Sequence, residues 1–452
     1  MPLRPIAVAF ALVFLALALL MAYLAVPRLR RRRWGYLALV ALSIVFLVVA
    51  SLPIPYIFGI GAPHPVFNAP APVPSGIVAY YVVNQAPLSA QQGQLVATQA
   101  STGKLLWQRA LPSPQPLVSS DATSVYAAAR QADSSDILAL DGATGAVLWQ
   151  RTLTGATVST APLLQGGMLV LSVYANGAAN PQQILALRPT DGQQLWSVRV
   201  GPDDTFAANT LQLLTSPDPT VVYDMPNASA LEARAVTDGR LLWATTGVSG
   251  QVVAGADAIY ELAQYGSVTA YSVGALAAQN RTPLWQFGDH QFFHAGAIVG
   301  DTLYVTAQHG DTPSDNAASL AHPETVYALD AHTGSLRWKF ATHSADLGSL
   351  AAGPAGVFIR ADDGIHALRT NDGTVLWHDS SRTNWLFART PLFVGPVIDF
   401  FAQEILPPER LTILQGHDEQ AYLYAVNTST GDLYWGQPVG PVITIPAFHL
   451  TY

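Results

Sequence analysis

The sequence predicts an all-β repeat fold preceded by two apolar helices. Three observations support this. One short motif recurs eight times, short β-rich runs punctuated by turn residues lie between its copies, and two long uncharged runs fill the first sixty residues.

The two runs come first in the chain. Residues 5–26 and 36–58 contain no charged side chain. Each is long enough to cross ~30 Å of hydrocarbon as a helix. The loop between them, 27–35, holds Arg28, Arg30, Arg31, Arg32 and Arg33. Cationic loops resist translocation, so this loop is expected on the cytoplasmic side. A transmembrane hairpin over residues 1–58 then leaves both termini outside and the rest of the chain extracytoplasmic. A cleaved signal peptide would carry its basic residues ahead of the apolar core, whereas here they follow it. Residues 59–75 contain Pro63, Pro65, Pro70, Pro72 and Pro74 and read as an extended spacer.

Charge is sorted along the chain. Residues 1–60 hold six arginines and no acid, so the other 16 basic residues face all 30 acidic ones. Such a domain lacks the positive surface that phosphate contacts require, and no nucleic acid is expected as a partner. Cysteine is absent, which removes disulfides, thiolate metal sites and thiol catalysis.

The repeat occupies residues 76–452. Its frame is Ala, six residues to Gly, then four to Trp, as in "ALDAHTGSLRW" from Ala328 to Trp338. Seven copies fit without a gap, giving Gly103/Trp107, Gly145/Trp149, Gly192/Trp196, Gly239/Trp243, Gly334/Trp338, Gly373/Trp377 and Gly431/Trp435. An eighth, Ala270 to Trp285, carries five extra residues and no Gly. Successive Trp residues are 42, 47, 47, 42, 53, 39 and 58 positions apart, a period that fits one small sheet per copy. The Gly sits late in a hairpin loop, where positive φ is wanted. Thr or Asp precedes it in all seven intact copies, because short oxygen-bearing side chains bond to turn amides. The small Ala is expected to let a neighbouring sheet approach, and the Trp to cover that approach.

"A-x-D-x-x-T-G-x-x-x-W" resembles the repeat of the quinoprotein, or PQQ-like, β-propeller family. Ala328, Asp330, Thr333, Gly334 and Trp338 match it fully, as do Ala139, Asp141, Thr144, Gly145 and Trp149. The other copies vary the Asp position to Gln99, Arg188, Ala235, Arg369 and Asn427. The WD40 propeller repeat is a poor match, since no Asp follows a repeat Trp. The resemblance implies an eight-bladed β-propeller of four-stranded blades. Only three strands precede the end of the first copy, so residues 442–450 are expected to return and complete the first blade.

The family name also implies a possible activity, the oxidation of alcohols or sugars by a PQQ-dependent, Ca²⁺-assisted membrane-bound dehydrogenase. No catalytic set of that family can be assigned here, and the vicinal cysteine pair many members use is impossible. No cofactor and no catalytic residue is predicted. Asp289, His290 and His294, and separately His417, Asp418 and Glu419, could approach a metal over a propeller mouth, but solvated loop residues are the plainer reading. The longest step contains Trp385, Phe387, Phe393, Phe400 and Phe401 within residues 381–409, a candidate apolar surface for a protein partner. The reading is therefore a membrane-anchored, non-enzymatic binding or scaffolding propeller of the cell envelope. Its functional resemblance is to the family's branch in outer-membrane assembly. Membrane lipid and an envelope protein are its expected partners.

Overall fold

In the computed structural model, the described residues are 78–84, 93–99, 102–113, 116–175, 182–200, 211–227, 229–263, 266–309, 324–342, 349–361, 364–379, 392–394, 397–404, 420–431, 433–441 and 448–451. All belong to one compact unit, Phe67–Ile405 with Gln420–Tyr452. The predicted hairpin of residues 1–58 and the spacer of 59–75 lie outside the described residues.

The strands form antiparallel sheets in chain order. β1 (Val78–Asn84), β2 (Gly93–Gln99) and β3 (Leu105–Leu111) are joined at their inner edge by the last strand, β32 (Phe448–Thr451). Val78 faces Thr451 and Tyr81 faces Phe448 in that pairing, so the two ends of the repeat region share one sheet. The next sheet runs β4 (Leu117–Ser120), β5 (Ser124–Arg130), β6 (Ser134–Asp141) and β7 (Val147–Thr154). β8 (Ala156–Val158), β9 (Leu163–Gln165), β10 (Met168–Ala175), β11 (Gln182–Leu187) and β12 (Gln194–Val200) follow. Then come β13 (Gln212–Leu214), β14 (Val221–Asn227), β15 (Ala230–Ala235) and β16 (Leu241–Thr246). A larger sheet comprises β17 (Gln251–Ala254), β18 (Ala258–Leu262), β19 (Gly266–Ser272), β20 (Pro283–Val299), β21 (Thr302–His309), β22 (Thr325–Asp330) and β23 (Leu336–Ala341). The last two are β24 (Ser349–Gly353), β25 (Gly356–Ala361), β26 (Gly364–Leu368) and β27 (Val375–Asp379), then β28 (Leu392–Val394), β29 (Val397–Glu404), β30 (Gln420–Asn427) and β31 (Leu433–Pro441).

This corrects the expected fold class of eight four-stranded blades behind two transmembrane helices. Five sheets are four-stranded, one has five strands and one has seven. The five-stranded sheet arises because its inner strand is split, β8 and β9 pairing with different ends of β10. Pro162 lies in the break, and proline has no amide to give to a ladder. The seven-stranded sheet arises because β20 runs for 17 residues without a turn and serves two copies. Among the described residues no helix is long and apolar enough to cross a membrane. The one described helix, α1 (Val273–Ala277), has five residues.

Register explains the motif's small residue. In all eight copies the repeat Ala is the cross-strand partner of the repeat Trp, from Ala97 opposite Trp107 to Ala425 opposite Trp435. On its other side Ala faces an aromatic residue in six copies: Tyr80, Tyr126, Tyr223, Tyr260, Tyr304 and Phe358. Tyr or Phe and Trp meet across the Ala with ring centroids 5.7–6.4 Å apart and planes tilted by 37–51°. A larger residue between them would hold the rings apart. The Ala thus serves a contact within its own sheet, besides lying in one buried cluster with the next, as Ala97 does with Val125 and Ala127. Just past each Ala the register slips by one residue, a β-bulge at the start of the strand that bears the Trp.

Consecutive copies meet through the turn glycines. A Cβ built on Gly334, whose φ is +70°, would lie 2.5 Å from Cε3 of Trp285 in the preceding copy. Gly145, Gly192, Gly239, Gly373 and Gly431 lie in the same way on Trp107, Trp149, Trp196, Trp338 and Trp377. Glycine is therefore needed twice over, for its backbone and for its missing side chain. Gly334→Ala is expected to cost about 2–4 kcal/mol through strain and overpacking, read as a lowered denaturation midpoint.

Candidate functional site

The polar atoms of the repeat converge on the turn between its third and fourth strands. Six indole N–H groups reach into the turn of the following copy. Nε1 of Trp107, Trp149, Trp196, Trp285, Trp338 and Trp377 donates to the carbonyl of Gly142, Pro189, Val236, Ala331, Thr370 and Thr428, at 2.6–3.0 Å. In three copies the tyrosine hydroxyl donates to the same oxygen: Tyr80 to Gly142 at 3.1 Å, Tyr260 to Ala331 at 3.1 Å and Tyr304 to Thr370 at 3.2 Å. A carbonyl has two lone pairs, and this arrangement fills both. Tyr126 donates instead to Asp121 Oδ2 at 2.8 Å. Burial, with the Asp121 carboxylate beside it, holds that phenol well above the usual range.

The turn itself is braced by a side-chain oxygen in one of two ways. Asp141 Oδ1 accepts from the amide and hydroxyl of Thr144 at 2.8 and 2.7 Å. Asp330 Oδ1 accepts from both groups of Thr333 at 2.9 Å. Where the position after Ala-x is Arg188, Ala235 or Arg369, the acceptor moves to the residue before the Gly. Asp191, Asp238 and Asp372 then accept from the amides of Gln193, Arg240 and Thr374 at 2.9–3.0 Å. This is why Thr and Asp alternate before the Gly. Arg337, with the Thr333 hydroxyl and amide, holds the Asp330 carboxyl far below its ordinary range.

The residues predicted to bind lie elsewhere. Asp289, His290 and His294 fall on β20 at two register breaks. One is against β19, where Phe287 faces Val268 and Gln291 faces Gly266; the other is against β21, between Phe293 and Ala295. Phe393 lies on β28, and Phe400 and Phe401 on β29, opposite Ile398, Tyr424 and Leu423 respectively. Trp385, Phe387, His417, Asp418 and Glu419 lie outside the described residues, as does the side chain of Trp435. Among the described residues no group of three or more His, Asp or Glu could hold a metal ion.

Two buried ionic groups escape any reading of the motif alone. Asp224, fully buried on β14, receives Arg234 Nε at 2.8 Å, and Arg234 also pairs with Glu232. Among the described residues Asp224 Oδ2 has no hydrogen-bond donor. Burial pushes the Asp224 carboxyl up to about 7; the Arg234 charge opposes this and Glu232 adds to it. In the next copy Glu261, at the equivalent place after its tyrosine, pairs with Arg281. The other six copies carry Tyr81, Ala127, Leu171, Val305, Ile359 and Phe400 there. A charged residue directly after the aromatic of the second strand was the available signal.

The sequence of residues 91–272, and again of 269–441, matches the family described as outer membrane protein assembly factor BamB. The chain belongs to this family. No curated protein is significantly similar in sequence. Among solved structures, the dihydro-heme d1 dehydrogenase NirN superposes over 89% of this chain and 85% of its own at a TM-score of 0.55, with 10% identity. BamB from Moraxella catarrhalis is 14% identical over 80% of this chain and 91% of its own, at a TM-score of 0.45. Quinohemoprotein alcohol dehydrogenase from Pseudomonas putida HK5 is 12% identical over 73% and 71%, at 0.44. The likeness to NirN shows a shared fold and nothing finer.

Two outcomes are expected. Trp338→Phe keeps the ring but removes the N–H to Thr370, and should cost about 1–2 kcal/mol in chemical denaturation. Asp224→Asn tests the raised carboxyl. A folded-state value near 7 against 3.8 means its stabilising contribution is complete below 3.8 and lost as pH rises through about 7. The variant should therefore gain on the parent as pH rises, by about 1–3 kcal/mol between pH 5 and pH 8.5, measured as melting at both pH values.

Proposed function

We propose that the chain is a membrane-anchored, extracytoplasmic scaffold of the cell envelope, a non-enzymatic propeller that binds protein partners. One observation carries the reading. The repeat's side-chain hydrogen bonds are spent on the fold: indole N–H groups on the next turn, and Asp, Asn and Thr on their own turns. Family membership supports it, because the family's description is that of an assembly factor of the outer membrane. The anchor rests on the two uncharged runs at 5–26 and 36–58 and on the arginines between them. The aromatic-rich segment 381–409 is the proposed partner surface, with Phe393, Phe400 and Phe401 on strands at one end of it and Trp385 and Phe387 ahead of them.

Purified full-length protein supplied with PQQ and Ca²⁺ should leave the quinone absorbance unshifted and reduce no dye with alcohols or sugars. Dye reduction would overturn the scaffold reading. A photo-crosslinker placed at Phe393 in cells should yield defined envelope-protein adducts that vanish with the crosslinker at Gln150, on the outer strand β7. Identical adducts from both positions would count against the surface. External protease should remove the propeller from cells whose outer layer has been opened, while leaving a membrane-embedded fragment.

A further inference from the structure

Six junctions between consecutive copies share one fastening, an indole N–H donated into the next turn and that turn's glycine lying on the indole. The junction after β16 is built differently. The following copy has no turn glycine, and α1 occupies that place. Trp243 is buried against Leu276 and Val273 of α1, with Val248 and Val252 in the same cluster. Gln279, just beyond the helix, is the only described non-glycine residue with positive φ, at 59°. The tight glycine turn is thus replaced by a looser one that offers Trp243 no carbonyl among the bonds described.

An arginine takes over the fastening. Arg281 lies over the Tyr271 ring, 5.0 Å from its centroid. Its Nη1 donates back across the junction to the Thr246 carbonyl at the end of β16, and its Nη2 to Glu261. The other Glu261 oxygen accepts from the Ser249 amide at 2.6 Å and hydroxyl at 2.8 Å. Ser249 lies in the link between β16 and β17, so Glu261 holds both that link and the arginine that reaches β16. The Glu261 side chain is 8% exposed and that of Arg281 is 26% exposed, which places the pair at the margin of the interface.

The two fastenings differ physically. An indole plate on a glycine turn excludes water and has no charge to lose. A half-wet ion pair competes with solvent and salt, and removal of either partner leaves the other charge poorly satisfied. We propose that the junction between β16 and β17–β19 is an ionic joint, and that it parts before the indole-fastened junctions do. Arg281 and Glu261 are its positioning residues.

The absence of native cysteine makes the test direct, since an introduced thiol is the only one in the chain. Val252→Cys reports this junction, and Val357→Cys reports the indole-fastened junction after β23, where Val357 is buried with Trp338. In the full-length protein the thiol at 252 should react with a soluble disulfide reagent about tenfold faster than the thiol at 357. Adding Glu261→Gln or Arg281→Met should speed labelling at 252 by a further factor of about five and leave 357 within about twofold. Trp338→Phe should do the reverse. Equal labelling of the two thiols in the otherwise unmodified chain overturns the proposal. So does a charge variant that accelerates both sites alike or neither.

Discussion

The contact on which the structure depends is an indole ring lying against a turn that has no side chain. Six tryptophans rest on six turn glycines of the copies that follow them, at separations no Cβ could occupy. Each indole is also tied to that turn by its one polar atom. Apolar burial supplies the attraction, and the hydrogen bond fixes the angle at which one sheet meets the next. The remaining letters of the motif follow from this. Ala is small so that a tyrosine can lean on the same indole, and Asp or Thr keeps the turn in the shape the indole requires.

Much of this was legible in the sequence, and what was not has physical causes. Gly and Trp are held at a fixed spacing by one hairpin, so seven copies align without gaps between Gly103 and Trp435. The partnering aromatics are not. Tyr304 precedes its Ala328 by far more residues than Phe358 precedes Ala367, because the hairpin between those strands varies in length. Alignment on the motif therefore scatters them. The grouping of strands into sheets was equally hidden. Whether β20 turns or runs on is settled by pairing on both of its edges, which no local pattern records. The proposed binding residues fared differently again. Asp289, His290 and His294 lie on β20 near shifts in its pairing, and Phe393, Phe400 and Phe401 on strands of the last sheet, positions set by tertiary pairing that no motif records.

The buried charges show how a repeat departs from itself. Asp224 and Glu261 occupy one equivalent position in consecutive copies, where other copies place Tyr, Ala, Leu, Val, Ile or Phe. Each needs an arginine, and neither arginine belongs to the motif. Charge inside a stack of sheets weakens it unless the geometry is excellent. Two such groups side by side therefore mark the stretch from β14 to β20 as the part of the chain least governed by the common plan.

The bulge that precedes each tryptophan has a consequence for the chain's dealings with its own kind. The strand bearing the Trp is the last of its copy, and in most sheets one edge of it has no partner among the described strands. Leu106, Leu148, Leu242 and Leu284 stand exposed on these strands, each beside its tryptophan. An open, flat edge with leucine on it would accept a foreign strand and seed aggregates. Each bulge twists the edge at that place and breaks its rhythm of donors and acceptors. The irregularity repeated in every copy is what lets so many similar hairpins coexist, in one chain and in a crowded compartment, without zipping together.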